Sequence, residues 1–397
     1  MKQHLLHIIL LPALFSLSGL FSCSSGPNGM TDTDAELPLS AKRIKIVLSS
    51  VPTRATTDGV EEYEGCGNEY YIAPTDIEVL IYRTDGTLAE RMEKKTVVPI
   101  TGHAGQYELT GELKQLTTND LNSSCKVVVL ANLQSAYPTY FPYGRLYEWN
   151  EAEIYRHTRF EYAGSADFTA GVLNGTRTST EKCRIPLWGV TTLKLGDYIY
   201  NILNETSKKV VEMDLLRALA KVEVYLDDSS EADASLDGLF IREVTLNRGR
   251  TDGFLTPKDA ADWRKTCRVT EENAIASLNA GTSTMEADTY IPFYRNPADG
   301  HFYIYIPEQK ASTSDAPAAF MTVTLGKERE PGDDSGVTVD AFDYPLYFSD
   351  YGTSPATPFP VLRNWWYQYR IVGVGKGQTI HYMICKWGKK NSDIDFH

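Results

Sequence analysis

The sequence predicts an all-β chain folded as two tandem β-sandwich domains with few short helices. Three observations carry this. Short runs rich in Val, Ile and Thr recur about every dozen residues along both halves, the spacing of sandwich strands. Aromatic residues are plentiful, with 24 Tyr, 14 Phe and 6 Trp against 7 Met, as strands prefer. Turn formers abound, with 29 Gly and 19 Pro, and no strand-helix-strand rhythm points to a parallel sheet. A length of 397 residues suits two domains of about 100–200 residues each, plus a tether.

The chain opens with a targeting segment. Met1–His7 carries Lys2, and Ile8–Leu20 is an apolar run too short to span a bilayer but sized for a signal-peptide core. It ends in Leu20-Phe21-Ser22-Cys23, which resembles a bacterial lipobox, although Phe21 replaces the usual small residue. The chemistry needs a thiol at the cut, because sulfur takes a diacylglycerol before cleavage; acylation of the freed amine adds the further chain that firm anchoring requires. Residues 1–22 are therefore read as a lipoprotein signal peptide and Cys23 as the lipidated residue. Ser24–Ser40, rich in Gly, Pro, Asp and Thr, reads as a spacer.

Ala41–Val51 is the first strand, with Ile44, Ile46 and Leu48 on one face and Lys45 on the other. Pro52–Glu64 is a polar, patternless loop of the kind proteases prefer, with Arg54-Ala55 inside it. Asp76–Arg91 predicts a hairpin turning at Asp85-Gly86, a pair favoured where two turn residues need positive φ. Lys126–Asn132 (KVVVLAN) is apolar without alternation, as in a strand buried on both faces. Glu151–Phe160 suits a short helix, and Ile185–Val190 and Thr192–Leu195 suit closing strands. The polar stretch Asn201–Lys209 marks the boundary, giving domains 55–205 and 206–397. Val210–Leu226 fits a helix or a long strand, with alternation through Val222, Val224 and Leu226 favouring strand in its second half. Phe240–Leu246, Phe302–Ile306, Phe320–Leu325, Ala341–Phe348, Asn364–Val374 and Thr379–Trp387 are further strands, and Glu271–Asn279 suits a short helix.

Charge and motif content narrow the function. The net charge is −13; removing residues 1–22 takes one of 39 cations and none of 52 acids, leaving −14. That field repels phosphate backbones, so nucleic acid is not an expected partner. No G-x-S-x-G elbow, H-E-x-x-H, P-loop or G-x-G-x-x-G occurs, and the seven His are scattered. No catalytic residue, metal or cofactor is expected, and the chain is not read as an enzyme. Cys66, Cys125, Cys183, Cys267 and Cys385 form no C-x-x-C pair and are odd in number, which leaves both free thiols and one or two disulfides open. Tyr137, Tyr140, Phe141, Tyr143 and Tyr147, or Trp365-Trp366-Tyr367, could stack sugars or simply pack; because neighbouring strand residues face opposite sides, Trp365 and Trp366 cannot both enter one core from the same face.

Taken in order, several stretches resemble the fimbrillin superfamily, the subunits of type V pili of Bacteroidales. They are the lipobox at Cys23, the first strand followed by Thr53-Arg54-Ala55, the strand and turn at Ile77–Leu88, VVVLAN at Val127–Asn132 and IPLWG at Ile185–Gly189. LLRALAKVEV at Leu215–Val224, YIYIPE at Tyr303–Glu308, RNWWYQYRI at Arg363–Ile371 and a terminal strand ending at Trp387 follow. The resemblance implies two transthyretin-like Greek-key sandwiches and export to the outer membrane as a lipoprotein. It implies that an arginine-specific protease cuts at Arg54-Ala55, so that residues 23–54, including the strand of Ile44, Ile46 and Leu48, leave as a propeptide. The open groove then accepts a strand from another pilus subunit at the cell surface. An anchor subunit keeps its lipid, which argues against that role for a chain with a cleavable Arg. The tail Gly388–His397 is a poor donor strand, which favours a tip over a stalk. A host protein or glycan is the ligand expected of a tip, and a surface lipoprotein binding glycans through its aromatic residues is the alternative.

Overall fold

The computed structural model describes residues 42–50, 62–63, 69–103, 105–133, 150, 159–161, 166–174, 184–201, 209–229, 232–250, 252–256, 290–311, 319–327, 342–351, 355–374 and 380–387. All of them belong to one compact unit, Pro38–His397. The strands in chain order are β1 (Lys42–Ser49), β2 (Glu62–Tyr63), β3 (Ile77–Arg83), β4 (Leu88–Arg91), β5 (Glu93–Pro99), β6 (Gln106–Leu113), β7 (Ser124–Ala131) and β8 (Arg159–Glu161). Next are β9 (Leu187–Lys194), β10 (Tyr200–Asn201), β11 (Val211–Asp214), β12 (Leu216–Arg217), β13 (Ala220–Leu226), β14 (Leu239–Asn247), β15 (Asp252–Phe254) and β16 (Tyr290–Pro292). The last are β17 (Tyr294–Arg295), β18 (Phe302–Ile306), β19 (Phe320–Lys327), β20 (Phe342–Tyr347), β21 (Ser349–Asp350), β22 (Thr357–Pro358), β23 (Trp365–Ile371) and β24 (Ile380–Trp387). Among the described residues two α-helices accompany them, α1 (Thr118–Asn122) and α2 (Ala166–Asn174). The fold is all-β.

Four main sheets form. The first runs β10-β1-β6-β5, with β11 also on β1; the second runs β12-β9-β7-β3-β4. Ile44, Ile46, Leu48 and Leu109 of the first sheet share one core with Val79, Ile81, Val127 and Val129 of the second, which makes a two-layer sandwich. The third sheet runs β17-β18-β13-β23-β24-β2 and the fourth β16-β14-β19-β20. Val222, Val224, Ile304 and Tyr369 of the third share a second core with Val244, Leu246, Met321 and Val323 of the fourth. Leu80, Tyr82, Val128 and Leu130, on the other face of β3 and β7, also join this second core. These strands are thus covered on both sides, which is why Val127–Leu130 carries four apolar residues in a row.

The hairpin forms where expected, with a different turn. Gly86 has φ +84 while Asp85 keeps a negative φ. Gly86 N donates to Arg83 O at 2.9 Å and Arg83 N to Thr87 O at 2.9 Å, and the Asp85 carboxylate accepts from Thr87 N at 2.9 Å. The loop therefore needs one left-handed residue, as a three-residue hairpin with a glycine bulge does. The helix expected over Glu151–Phe160 is corrected at its end: Arg159–Glu161 is β8, paired antiparallel with β15, a tertiary pairing that local spacing does not encode. Residues 151–158 and the helix expected at Glu271–Asn279 lie outside the described residues. Val210–Leu226 is strand throughout its regular parts. Its β11 and β12, beyond the expected boundary at 205, pair with β1 and β9 of the first half, and β13 pairs with β18 and β23 of the second.

Candidate functional site

The strand predicted to leave sits in the middle of its sheet. β1 pairs antiparallel with β6 over its full length, from Lys42↔Leu113 to Ser49↔Gln106. Its other side is held by β10 at Lys42 and Arg43, and by β11, in parallel, from Ile46 to Ser49. Ile44, Ile46 and Leu48 all have 0% exposure. Alternation puts them on the core face and puts Arg43, Lys45 and Val47 on the partly exposed outer face. On that outer face Lys45 Nζ lies 3.0 Å from Glu108 and Arg43 Nη2 lies 3.5 Å from Glu112. Where the strand exits, Leu215 N donates to Ser49 O at 2.7 Å, Ser50 N to Gly105 O at 3.0 Å, and Ser50 Oγ to Tyr70 O at 3.1 Å. The structure thus brings Ile44, Ile46 and Leu48 together as one row of a slot. Cys23, Arg54 and Ala55 lie outside the described residues.

Removing β1 would uncover a slot floored by both sheets, with the backbone groups of β6 and β11 unpaired along its sides. Three fully buried aliphatic side chains are worth about 1.5–3 kcal/mol each, so a chain without β1 has a strong drive to accept a replacement strand by β-augmentation.

The resemblance motifs meet in a second buried group. Arg363 and Glu308 form a two-pronged ion pair, Nε to Oε1 at 2.9 Å and Nη2 to Oε2 at 2.8 Å. Arg363 also donates to the carbonyls of Leu255 and Phe254 at 2.8 Å. Asn364, at φ +61, accepts from Arg217 Nη1 at 3.2 Å. Arg217 Nε donates to Glu69 O at 3.1 Å, and the Glu69 carboxylate takes Lys221 at 2.9 Å and the Tyr305 hydroxyl. Burial pushes Glu69 toward its neutral form, but Lys221, Tyr305 and Arg217 outweigh it and hold the carboxyl below its usual range. Burial pulls the Arg217 guanidinium down to about 10. Farther along the same sheet, Glu223 takes Gln368 Nε2 at 2.7 Å and Tyr303 Oη at 2.9 Å, and lies 2.7 Å from His301 Nδ1. Burial pulls the His301 pKa down, and Glu223, Asp299 and Asp228 together raise it above its ordinary value. Sequence reading missed this group. Its one signal is the alternation of Lys221 and Glu223 with Val222 and Val224, which looks like a solvated face until the strand is seen to be covered on both sides. Its carboxylates are met by Lys221, Arg363, Tyr303, Tyr305, Gln368 and His301, and its guanidiniums by carboxylate, amide and carbonyl oxygens, so the group holds the fold together.

The other expected features resolve unevenly. Trp366 and Tyr367 are buried and Trp365 is half-buried against the same core cluster. Lys221 Nζ stands 3.7 Å from the centre of a Trp366 ring. This trio is packing, not a sugar platform. Tyr137–Tyr147, Cys66, Cys183 and Cys267 lie outside the described residues, and Cys385 lies on β24. Cys125 is a buried free thiol whose pKa is pushed up by that burial. Among the described residues no group of three or more His, Cys, Asp or Glu could hold a metal ion, and no helix is long and apolar enough to cross a membrane.

No protein-family model matches the chain, and no curated protein matches it. Solved structures are similar to it. The tip fimbrial protein Mfa3 from Porphyromonas gingivalis is 12% identical, with 87% of this chain and 100% of that one covered at a TM-score of 0.45. A fimbrial assembly protein from Parabacteroides distasonis is 15% identical, with 87% and 95% covered at 0.41. A candidate cell adhesion protein from Bacteroides eggerthii is 14% identical, with 88% and 97% covered at 0.42. Each score is below 0.5.

Proposed function

We propose that this chain is a structural, non-catalytic subunit of a cell-surface fimbrium of the fimbrillin kind, placed at the tip. It is exported as a lipoprotein precursor held in the outer membrane through acylated Cys23. An arginine-specific protease cuts it between Arg54 and Ala55, β1 leaves with residues 23–54, and a strand from another pilus subunit fills the slot. The tip position leaves it to meet a host protein or glycan. The two sandwiches act as its two domains.

One observation carries this reading. The first strand is a central strand with three side chains at 0% exposure, yet it is tied to the rest of the chain only through the polar stretch that holds Arg54. A cut there removes the covalent link between β1 and the strands it pairs with, leaving it held by side-chain burial and sheet hydrogen bonds alone. The lipobox at Cys23 and the ordered set of fimbrillin-like motifs support the same reading.

The test is the mature N-terminus, read by mass spectrometry from a host with and without its arginine-specific protease. The proposal expects a terminus at Ala55 in purified fibres, seen only when the protease is present. A terminus that stays at acylated Cys23 in both hosts overturns it and leaves an anchor subunit or a glycan-binding lipoprotein.

A further inference from the structure

The slot that β1 fills has an apolar floor, but its outward rim is acidic. Residues directly opposite one another in a sheet share a face. On the outer face Arg43 stands opposite Glu112 of β6, and Lys45 reaches Glu108. Val47 stands opposite Glu108 on one side and Glu212 of β11 on the other, and Ser49 stands opposite Asp214 of β11. Glu212 and Asp214 are exposed. Lys94 offsets Glu112 from β5 at 2.8 Å. The two cations that β1 sets on this face, Arg43 and Lys45, leave with it, and among the described residues the rim then presents Glu108, Glu112, Glu212 and Asp214, with Lys94 offsetting Glu112.

Resting on the strand-exchange reading, we infer that this slot selects its incoming strand by charge as well as by shape. The floor accepts any strand with three alternating apolar residues. The rim favours a strand from a second protein chain that lies antiparallel to β6 and carries Lys or Arg at the interleaved outward positions. The position of Val47 is the sharpest discriminator, because a cation there sits between two glutamates whereas β1 itself offers an uncharged valine. An acidic residue at the same place meets like charge on both sides. Charge matching of this kind governs partner choice and salt dependence more than raw affinity.

The test uses the full chain after cleavage at Arg54, with the released strand exchanged for fluorescent nine-residue peptides spanning Lys42–Ser50 and read by anisotropy. Three peptides are compared: the parent, one with Arg43→Glu and Lys45→Glu, and one with Val47→Lys. Each exposed ion pair shifts binding by up to about fivefold. The acidic peptide is therefore expected to bind about tenfold more weakly than the parent and the Val47→Lys peptide about threefold more tightly, with both gaps shrinking at high salt. Making Glu108→Lys and Glu212→Lys in the chain should reverse the order. If that variant fails to fold, the peptide series and its salt dependence on the unaltered chain still decide. Equal binding of all three peptides at low and high salt overturns charge selection while leaving strand exchange intact. If no peptide exchanges into the cut chain, strand exchange itself falls and the selection falls with it.

Discussion

Shortening Ile46 to alanine should cost the folded chain about 3–4 kcal/mol. Ile46 has 0% exposure at the middle of β1. It stands between Leu109 of β6 and Val211 of β11, with the second sheet closing over it. The change removes three carbons, worth about 2.4 kcal/mol at ~0.8 per buried carbon. The remainder is the cavity left because the neighbours are held by their own strand pairings and collapse only partly. Lys45→Ala, one residue away but on the outer face with a side chain 37% exposed, should cost less than about 1 kcal/mol. Urea unfolding followed by tryptophan fluorescence compares the two. Equal losses, or a loss under about 1 kcal/mol for Ile46→Ala, would refute the claim that this strand is part of the core.

Three further outcomes are expected. Asn132 is buried at φ +60, accepts from Ala73 N at 3.0 Å and donates to Tyr71 O and Ile185 O at 2.8 Å. Asn132→Ala should cost at least about 3 kcal/mol by stranding three backbone groups, and a urea midpoint unchanged from the parent would contradict this. Arg363→Met leaves Glu308 buried without its ion pair and should cost about 3–5 kcal/mol; a variant as stable as the parent would show that Glu308 finds another partner. Asp120 is bonded by Arg83 at 2.6 and 3.1 Å and by Thr117, which lower its carboxyl from 3.8 to about 2. Its folded pKa is depressed, so its contribution is present above about pH 4 and lost as pH falls toward 2. Urea midpoints across that window should fall for the parent and flatten for Asp120→Asn, and parallel slopes would count against the assignment.

What was legible in the sequence was what a strand's own residues encode. The period-two alternation of Ile44, Ile46 and Leu48, the unbroken run at Val127–Leu130 and the aromatic run Phe302–Ile306 each report how many faces of a strand are covered, and each became the strand expected. Pairing was not legible, because the partner that decides it lies far along the chain: β1 lies parallel to β11, more than 160 residues away in sequence. Arg159 and Phe160 read as the end of a helix until β15 is placed beside Arg159–Glu161. The same blindness hid the ionic group. Arg217, Lys221, Glu223, Glu308 and Arg363 are residue types that usually face water, and only the tertiary packing around β12, β13 and the ends of β18 and β23 turns them into core. The turn at Gly86 differed from expectation because a two-residue and a three-residue loop share the same Asp-Gly signal. The acidic rim was hidden for a similar reason, since Glu108 and Glu212 become neighbours of Val47 only through the sheet register.

The central claim is that β1 must leave for the chain to enter a fibre, and a covalent lock tests it most directly. Lys45 of β1 and Thr110 of β6 stand directly opposite, so Lys45→Cys with Thr110→Cys allows a disulfide that ties the strand in place. Its formation is checked by a gel shift under oxidising conditions, and incorporation is then read from purified fibres before and after reduction. The account predicts that the locked chain reaches the cell surface and is cut at Arg54 but stays out of fibres until it is reduced. A locked chain that enters fibres as readily as the reduced one would contradict it.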